Sequence, residues 1–176
     1  MASLHVSPLQ QTSLVILRTL VGWHFLYEGY TKLLHPAWSL AGAPLPSWSS
    51  AAYLKAATGP LAPLFHWMGS VAWIGSLDLA IALALAAVGM SLMLGLFTQW
   101  GCSGALALLV IFYLAAMPTG GIDVRAEGTY LLVNKNLVEA CAVIVLLAFR
   151  TGSIAGLDRL WLRARPATIP VQEAVA

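Results

Sequence analysis

Three features of the chain predict an all-α fold: an integral membrane four-helix bundle with a long outer loop carrying a short interfacial helix. The first is composition. Of 176 residues 60% are hydrophobic and only 9% charged, with a mean hydropathy of +0.82, against about 25% charged in an ordinary soluble domain. The second is that no charged residue separates Asp78 from Asp123, too long an apolar run for one membrane crossing and about right for two. The third is that the remaining intramembrane charges fall at helical spacing. So few charges cannot coat a water-soluble sphere, which excludes a soluble enzyme and a disordered tail. The net charge of +2, with no basic patch, excludes a nucleic-acid partner. The length suits one domain.

Four spans are expected, at 13–34, 73–97, 102–117 and 130–149, each near the 20 residues that cross a core about 30 Å thick. Residues 1–12 form an N-terminal flank with no basic n-region and no small-residue cleavage site, so no signal peptide is expected. The break between the second and third spans is placed at Thr98-Gln99-Trp100-Gly101, a polar and glycine pause that reads as a turn, and Pro118 is expected to stop the third. The membrane domain covers 13–161, and 162–176 is expected to be a mobile tail.

The basic cluster Arg150, Arg159, Arg163 and Arg165 predicts a cytoplasmic C-terminus. Four is an even number, so the N-terminus is cytoplasmic too, in a bacterial-type inner (plasma) membrane. The loop from His35 to about Met68 then faces outward. Pro44 and Pro46 flank a turn in it, Ser50 to Ala57 reads as a short amphipathic helix, and Leu64 to Met68 returns to the membrane. A loop of this length is functional or an interfacial cap.

Each charge at a helix centre costs about 2.5–3.5 kcal/mol on insertion scales, yet Arg18, Glu28, Lys32, Asp78, Lys135 and Glu139 all fall within or beside spans. Spacing of four pairs His24 with Glu28, Glu28 with Lys32, and Lys135 with Glu139. Arg18, Val21, His24, Phe25, Glu28 and Lys32 share one helix face, a polar stripe that points into a bundle. In the expected topology Glu28, Lys32, Asp78, Asn134, Lys135, Asn136 and Glu139 lie in the outer half of the membrane. They either fasten the helices, at about 0.6 kcal/mol per polar contact, or line a pocket for a polar small molecule or quinone head group. His24 reads as a helix residue leaning on Glu28, as a proton-transfer group or as a haem ligand. Haem is disfavoured because His35 and His66 belong to the loop. Cys102 and Cys141 lie at different depths and cannot pair; no metal site is expected. Gly89, Gly95 and Gly101 with Ala105 permit close helix packing.

Three stretches carry a family resemblance: Arg18-x3-Gly22 with Phe25-x3-Gly29-x2-Lys32; the segment Val88-Gly89-Met90-Ser91-Leu92-Met93-Leu94-Gly95-Leu96-Phe97-Thr98; and Glu127-Gly128-x-Tyr130 through Asn134-Lys135-Asn136 to Glu139, closing with Gly156-Leu157-Asp158-Arg159-Leu160. In this order they resemble the DoxX/DoxD family of four-helix membrane proteins over most of 13–161, closer to its DoxD-type members. The resemblance implies a membrane oxidoreductase subunit. In archaeal relatives a DoxD-like chain with a DoxA-like partner forms thiosulfate:quinone oxidoreductase, which passes electrons from thiosulfate to quinone. Gln99 departs from the family, where an arginine commonly follows the threonine, and no DoxA-like domain is fused here, so full activity would need a separate partner.

The resulting expectation is a subunit of a quinone-linked oxidoreductase working near the outer face. Lys32 and Lys135 would attract a small anion or hydrogen-bond a quinone carbonyl. Glu28, Asp78 and Glu139 would handle protons, with His24, Asn134 and Asn136 contacting the quinone. Quinone is favoured partly by elimination, since it is an electron acceptor that leaves no motif. A second protein subunit or a homo-oligomer is the expected partner besides the bilayer. The alternatives are a non-catalytic membrane anchor in a larger complex, and a small-solute transporter, which the lack of an inverted repeat argues against.

Overall fold

The computed structural model describes residues 7–34, 48–117, 129–130 and 132–159. The expected turn at Pro44 and Pro46, the stop at Pro118, the basic pair Arg163 and Arg165, and the tail 162–176 lie outside these residues. The described chain is all-α apart from one two-residue antiparallel pair and a single parallel bridge between Thr58 and Ala116. In order it comprises α1 (Pro8–Leu34), α2 (Ala51–Lys55), α3 (Ala62–Met68), α4 (Ile74–Leu94), α5 (Thr98–Ala115), β1 (Thr129–Tyr130), β2 (Val133–Asn134), α6 (Lys135–Ala148) and α7 (Thr151–Ile154).

Helix α1 starts five residues before its expected bound. Ser7 and Gln10 close a capping box: the Ser7 backbone N–H donates to Gln10 Oε1 at 2.8 Å and the Gln10 N–H to Ser7 Oγ at 3.4 Å. Pro8 then occupies the first helical position, where its missing N–H costs nothing.

Helix α4 ends at Gly95, which adopts φ +63°. The Leu96 N–H returns to Ser91 O at 3.0 Å and the Gly95 N–H to Leu92 O at 3.3 Å, a Schellman ending that glycine makes without strain. The chain reverses over Gly95–Phe97, and Thr98 to Gly101 form the first turn of α5. This corrects the expected break at Thr98–Gly101, because the polar pause is helical. What stops the helix is Gly95, and what starts the next one is a carboxylate from far away, described below.

The fourth expected span, 130–149, is also corrected. Asn134 has extended backbone, φ −122° and ψ 173°, and its side chain accepts from the Leu137 N–H at 3.0 Å. An asparagine so placed is an N-cap, so α6 begins at Lys135 and holds 14 residues. That is about 21 Å of helix at 1.5 Å per residue.

Helices α1, α4, α5 and α6 pack as a closed ring, α1 on α4, α4 on α5, α5 on α6 and α6 back on α1. Each neighbour runs antiparallel to the next. The α1–α4 seam is the tightest: a Cβ on Gly89 would stand 2.3 Å from the Leu26 backbone nitrogen, and one on Gly29 2.4 Å from that of Ala86. Inside the ring a core of Val21, Phe25, Leu85, Val88, Leu92, Cys102, Ala105, Leu109, Val143 and Leu146 is buried. Two helices, α4 and α5, are long and apolar enough to cross a membrane. Helix α1 carries Arg18, Glu28 and Lys32, and α6 is short, so membrane-spanning character rests on α4 and α5.

Candidate functional site

Antiparallel packing brings one end of every long helix together: the C-terminal turns of α1 and α5 and the N-terminal turns of α4 and α6. Helices α2 and α3 lie across this end. Ser50, just before α2, is tied to α4, its backbone N–H donating to Asp78 Oδ1 at 2.9 Å and its hydroxyl donating to the same oxygen. Tyr53 OH donates to Phe112 O at 3.1 Å and Thr58 Oγ1 to Met117 O at 2.7 Å, which ties the cap to α5. Leu54, Ala57 and Phe65 seal against Ala115 beneath it.

Under the cap is a cavity of about 340 Å³, in the size range of small-molecule sites. Its walls differ in chemistry. Leu77, Ile81 and Leu85 of α4 and Leu108, Leu109 and Phe112 of α5 make an apolar side, while His24, Glu28, Lys32, Lys135, Asn136 and Glu139 of α1 and α6 make a polar one.

The polar wall is organised by two pairs. Lys32 Nζ donates to Glu28 on the same helix, and its ammonium stands over the Trp48 ring, 5.0 Å from the centroid, a cation–π contact. His24 Nδ1 and Glu139 Oε1 are 2.7 Å apart and join α1 to α6. Lys135 is exposed, close enough to interact electrostatically with His24 and Glu28, and has no hydrogen-bond or ion-pair partner among the described residues. The Glu28–Lys32 pairing is as expected. The other two differ: Glu139 takes His24 rather than Lys135, because α1 and α6 face each other here and the Glu139 carboxylate reaches across the seam.

Of the eight residues singled out in sequence, Glu28, Lys32, Lys135, Glu139, His24 and Asn136 line the cavity. Asp78 and Asn134 are not among its lining residues. Asp78 holds the cap through Ser50, and Asn134 is spent on capping α6. Ser50 and Tyr53 line the cavity and were not anticipated as site residues. Their signal was the amphipathic loop segment itself, which gave no indication of what it covered. Among the described residues no group of three His, Cys, Asp or Glu side chains could hold a metal ion.

Arg18 belongs to the opposite end of the ring. It is 3% exposed, donates through Nη1 to Thr151 O at 3.0 Å, and lies in the field of Asp158. The Asp158 carboxylate accepts from the Phe97 N–H at 2.7 Å and the Thr98 N–H at 2.9 Å. It thereby caps α5, whose preceding residue Phe97 has φ +52°. Of the expected inward stripe of α1, Arg18, Val21 and Phe25 are buried, whereas His24 is exposed and Glu28 and Lys32 are partly buried, and the charges divide between two ends of the molecule.

The chain matches no family model, no curated protein and no solved structure.

Proposed function

We propose that this is an integral membrane protein whose capped cavity binds a quinone-type small molecule, as the membrane subunit of a quinone-linked oxidoreductase. The observation that carries the reading is the division of the cavity into an apolar side from α4 and α5 and a polar side from α1 and α6. A prenylated quinone has the same division, an apolar ring and tail with two carbonyl acceptors. The residues fit such a group: Lys135, whose ammonium has no partner among the described residues, and Asn136 would donate to the carbonyls, and the leucines and Phe112 would cover the ring. The group would supply two-electron redox chemistry. The chain's own residues bind it, cover it with the α2–α3 cap, and set the titratable groups His24, Glu28 and Glu139 on the polar wall beside it. The resemblance to DoxD-type chains supports the same reading, with thiosulfate or a related small anion as electron donor and a separate subunit to receive it.

Placement in the membrane follows the same line. Helices α4 and α5 span it; α1, with Arg18 buried and Glu28 paired to Lys32, and α6, extended by its flanks, complete the crossing. The cap end faces outward and both termini lie in the cytoplasm of a cell with this protein in its plasma membrane.

The test is Lys135→Gln, which retains a donor and removes the charge. A hydrogen bond to a charged group is worth about 1.5–3 kcal/mol, so quinone affinity should fall roughly ten- to a hundredfold while the protein remains folded. The assay is thiosulfate- or dithiol-dependent quinone reduction in membranes, with and without a coexpressed partner, together with quinone extracted from purified protein. A folded Lys135→Gln protein with unchanged activity and quinone content would leave the non-catalytic anchor as the better account.

A further inference from the structure

The His24–Glu139 contact has a chemical consequence. An ionised carboxylate can only accept, so with Glu139 Oε1 at 2.7 Å the imidazole proton must sit on Nδ1. In the neutral ring Nε2 is then a bare lone pair. Nε2 has no hydrogen-bond partner among the described residues, and the side chain lines the cavity. If Nε2 takes up a proton, the resulting imidazolium is held against a carboxylate, and Glu139 both orients the ring and stabilises its charged form.

The neighbouring groups leave this role to His24. On its own helix, Glu28 is engaged by Lys32. On α6, Glu139 is engaged by His24 itself, and Lys135 is a cation with no base to offer. From α4, Asp78 is committed to Ser50, and from α2 the Tyr53 hydroxyl, which also lines the cavity, gives its proton to Phe112 O at 3.1 Å. The side chains that α5 sends to the cavity, Leu108, Leu109, Ile111, Phe112 and Ala115, are apolar. Arg18 is at the far end, bonded to Thr151.

We infer that His24 Nε2 is the proton-exchange atom of the cavity, acting on a ligand whose head group is a weakly acidic aromatic hydroxyl, such as a hydroquinone. This rests on the proposed cavity function and assigns the proton chemistry within it. In the forward step the ligand O–H bond breaks and an N–H bond forms at Nε2. The electron pair of the broken bond stays on the ligand oxygen, which becomes an anion facing the Lys135 charge. The reverse step returns the proton. No electron leaves the ligand in either direction.

The probe is an alkylated 4-nitrophenol, whose phenol and phenolate forms absorb at different wavelengths, titrated with detergent-purified full-length protein across a pH series. The wild type should bind it and lower its apparent ionisation midpoint by about one pH unit or more, a tenfold or greater preference for the phenolate. His24→Gln should abolish most of that shift, the phenol form still entering between the apolar walls. Glu139→Gln, which keeps an acceptor for Nδ1 but removes the charge behind the ring, should shrink it severalfold, and serves if His24→Gln fails to fold. A wild-type shift in both variants overturns the inference while leaving the cavity reading standing. A wild type that does not bind the probe overturns both.

Discussion

His24 and Glu139 are 115 positions apart in sequence and 2.7 Å apart in space. Their contact joins the first long helix to the last beside the cavity, and it replaces the Lys135–Glu139 pair that helical spacing alone favours. Among the described residues Lys135 is left without a hydrogen-bond or ion-pair partner, its ammonium beside the cavity wall rather than on Glu139.

The pair should be energetically coupled. In a double-mutant cycle with His24→Ala and Glu139→Ala, the two losses should be non-additive by about 0.6–1.7 kcal/mol, the range for polar contacts between membrane helices. Reversible unfolding in mixed detergent micelles reads this directly. The same cycle between Lys135 and Glu139 should show less coupling, and a larger value there would contradict the pairing.

The α1–α4 seam should tolerate no added methyl at its closest approach. Gly89→Ala places a carbon 2.3 Å from the Leu26 backbone, so the helices must part, at a cost of about 1–3 kcal/mol. Gly75→Ala meets nothing within 4 Å and is the matched control on the same helix. Equal thermal stability of the two variants would show that the seam is looser than described.

Asp158 should be worth more than a surface carboxylate. It supplies both the cap of α5 and the negative charge near buried Arg18. Asp158→Ala should cost about 1 kcal/mol or more, the typical loss for a removed helix cap. Asp158→Asn keeps one acceptor and should fall between it and the wild type. Thermal unfolding followed by helical circular dichroism orders the three.

The proposed topology is tested by cysteine labelling in intact cells, in a Cys141→Ala background because Cys141 is exposed. A membrane-impermeant maleimide should modify Ser49→Cys at the cap end and leave Ser153→Cys at the opposite end unmodified. Ser153 is the better inner reporter than Gly152, where a Cβ would lie 2.3 Å from Asp158 Oδ2. Outside labelling at Ser153 would invert the arrangement and put the cavity on the cytoplasmic side.

Much of the site was legible because helical spacing is a local property. Arg18, His24, Glu28 and Lys32 share a face of α1 wherever that helix is packed, and Glu28 and Lys32 are one turn apart by construction. Helix ends were less legible. Asn134 looks in sequence like a buried polar residue of a longer helix, since an N-cap and a helical asparagine differ in backbone angles and not in identity. Phe97–Thr98 gave no start signal for α5, because its capping carboxylate comes from Asp158, 60 residues downstream.

The sequence by itself determined the helical class, the apolar character of 74–115 and which residues share a face of α1, since composition and periodicity depend only on the order of residues. Only the tertiary structure decided which charges meet. Antiparallel packing set His24 opposite Glu139, sent Arg18 to the other end beside Asp158, turned Asp78 to the cap and left Lys135 without a partner among the described residues. A charge takes the partner that packing brings within a few ångströms, and in this ring that partner lies on another helix at His24 and on the same helix at Glu28.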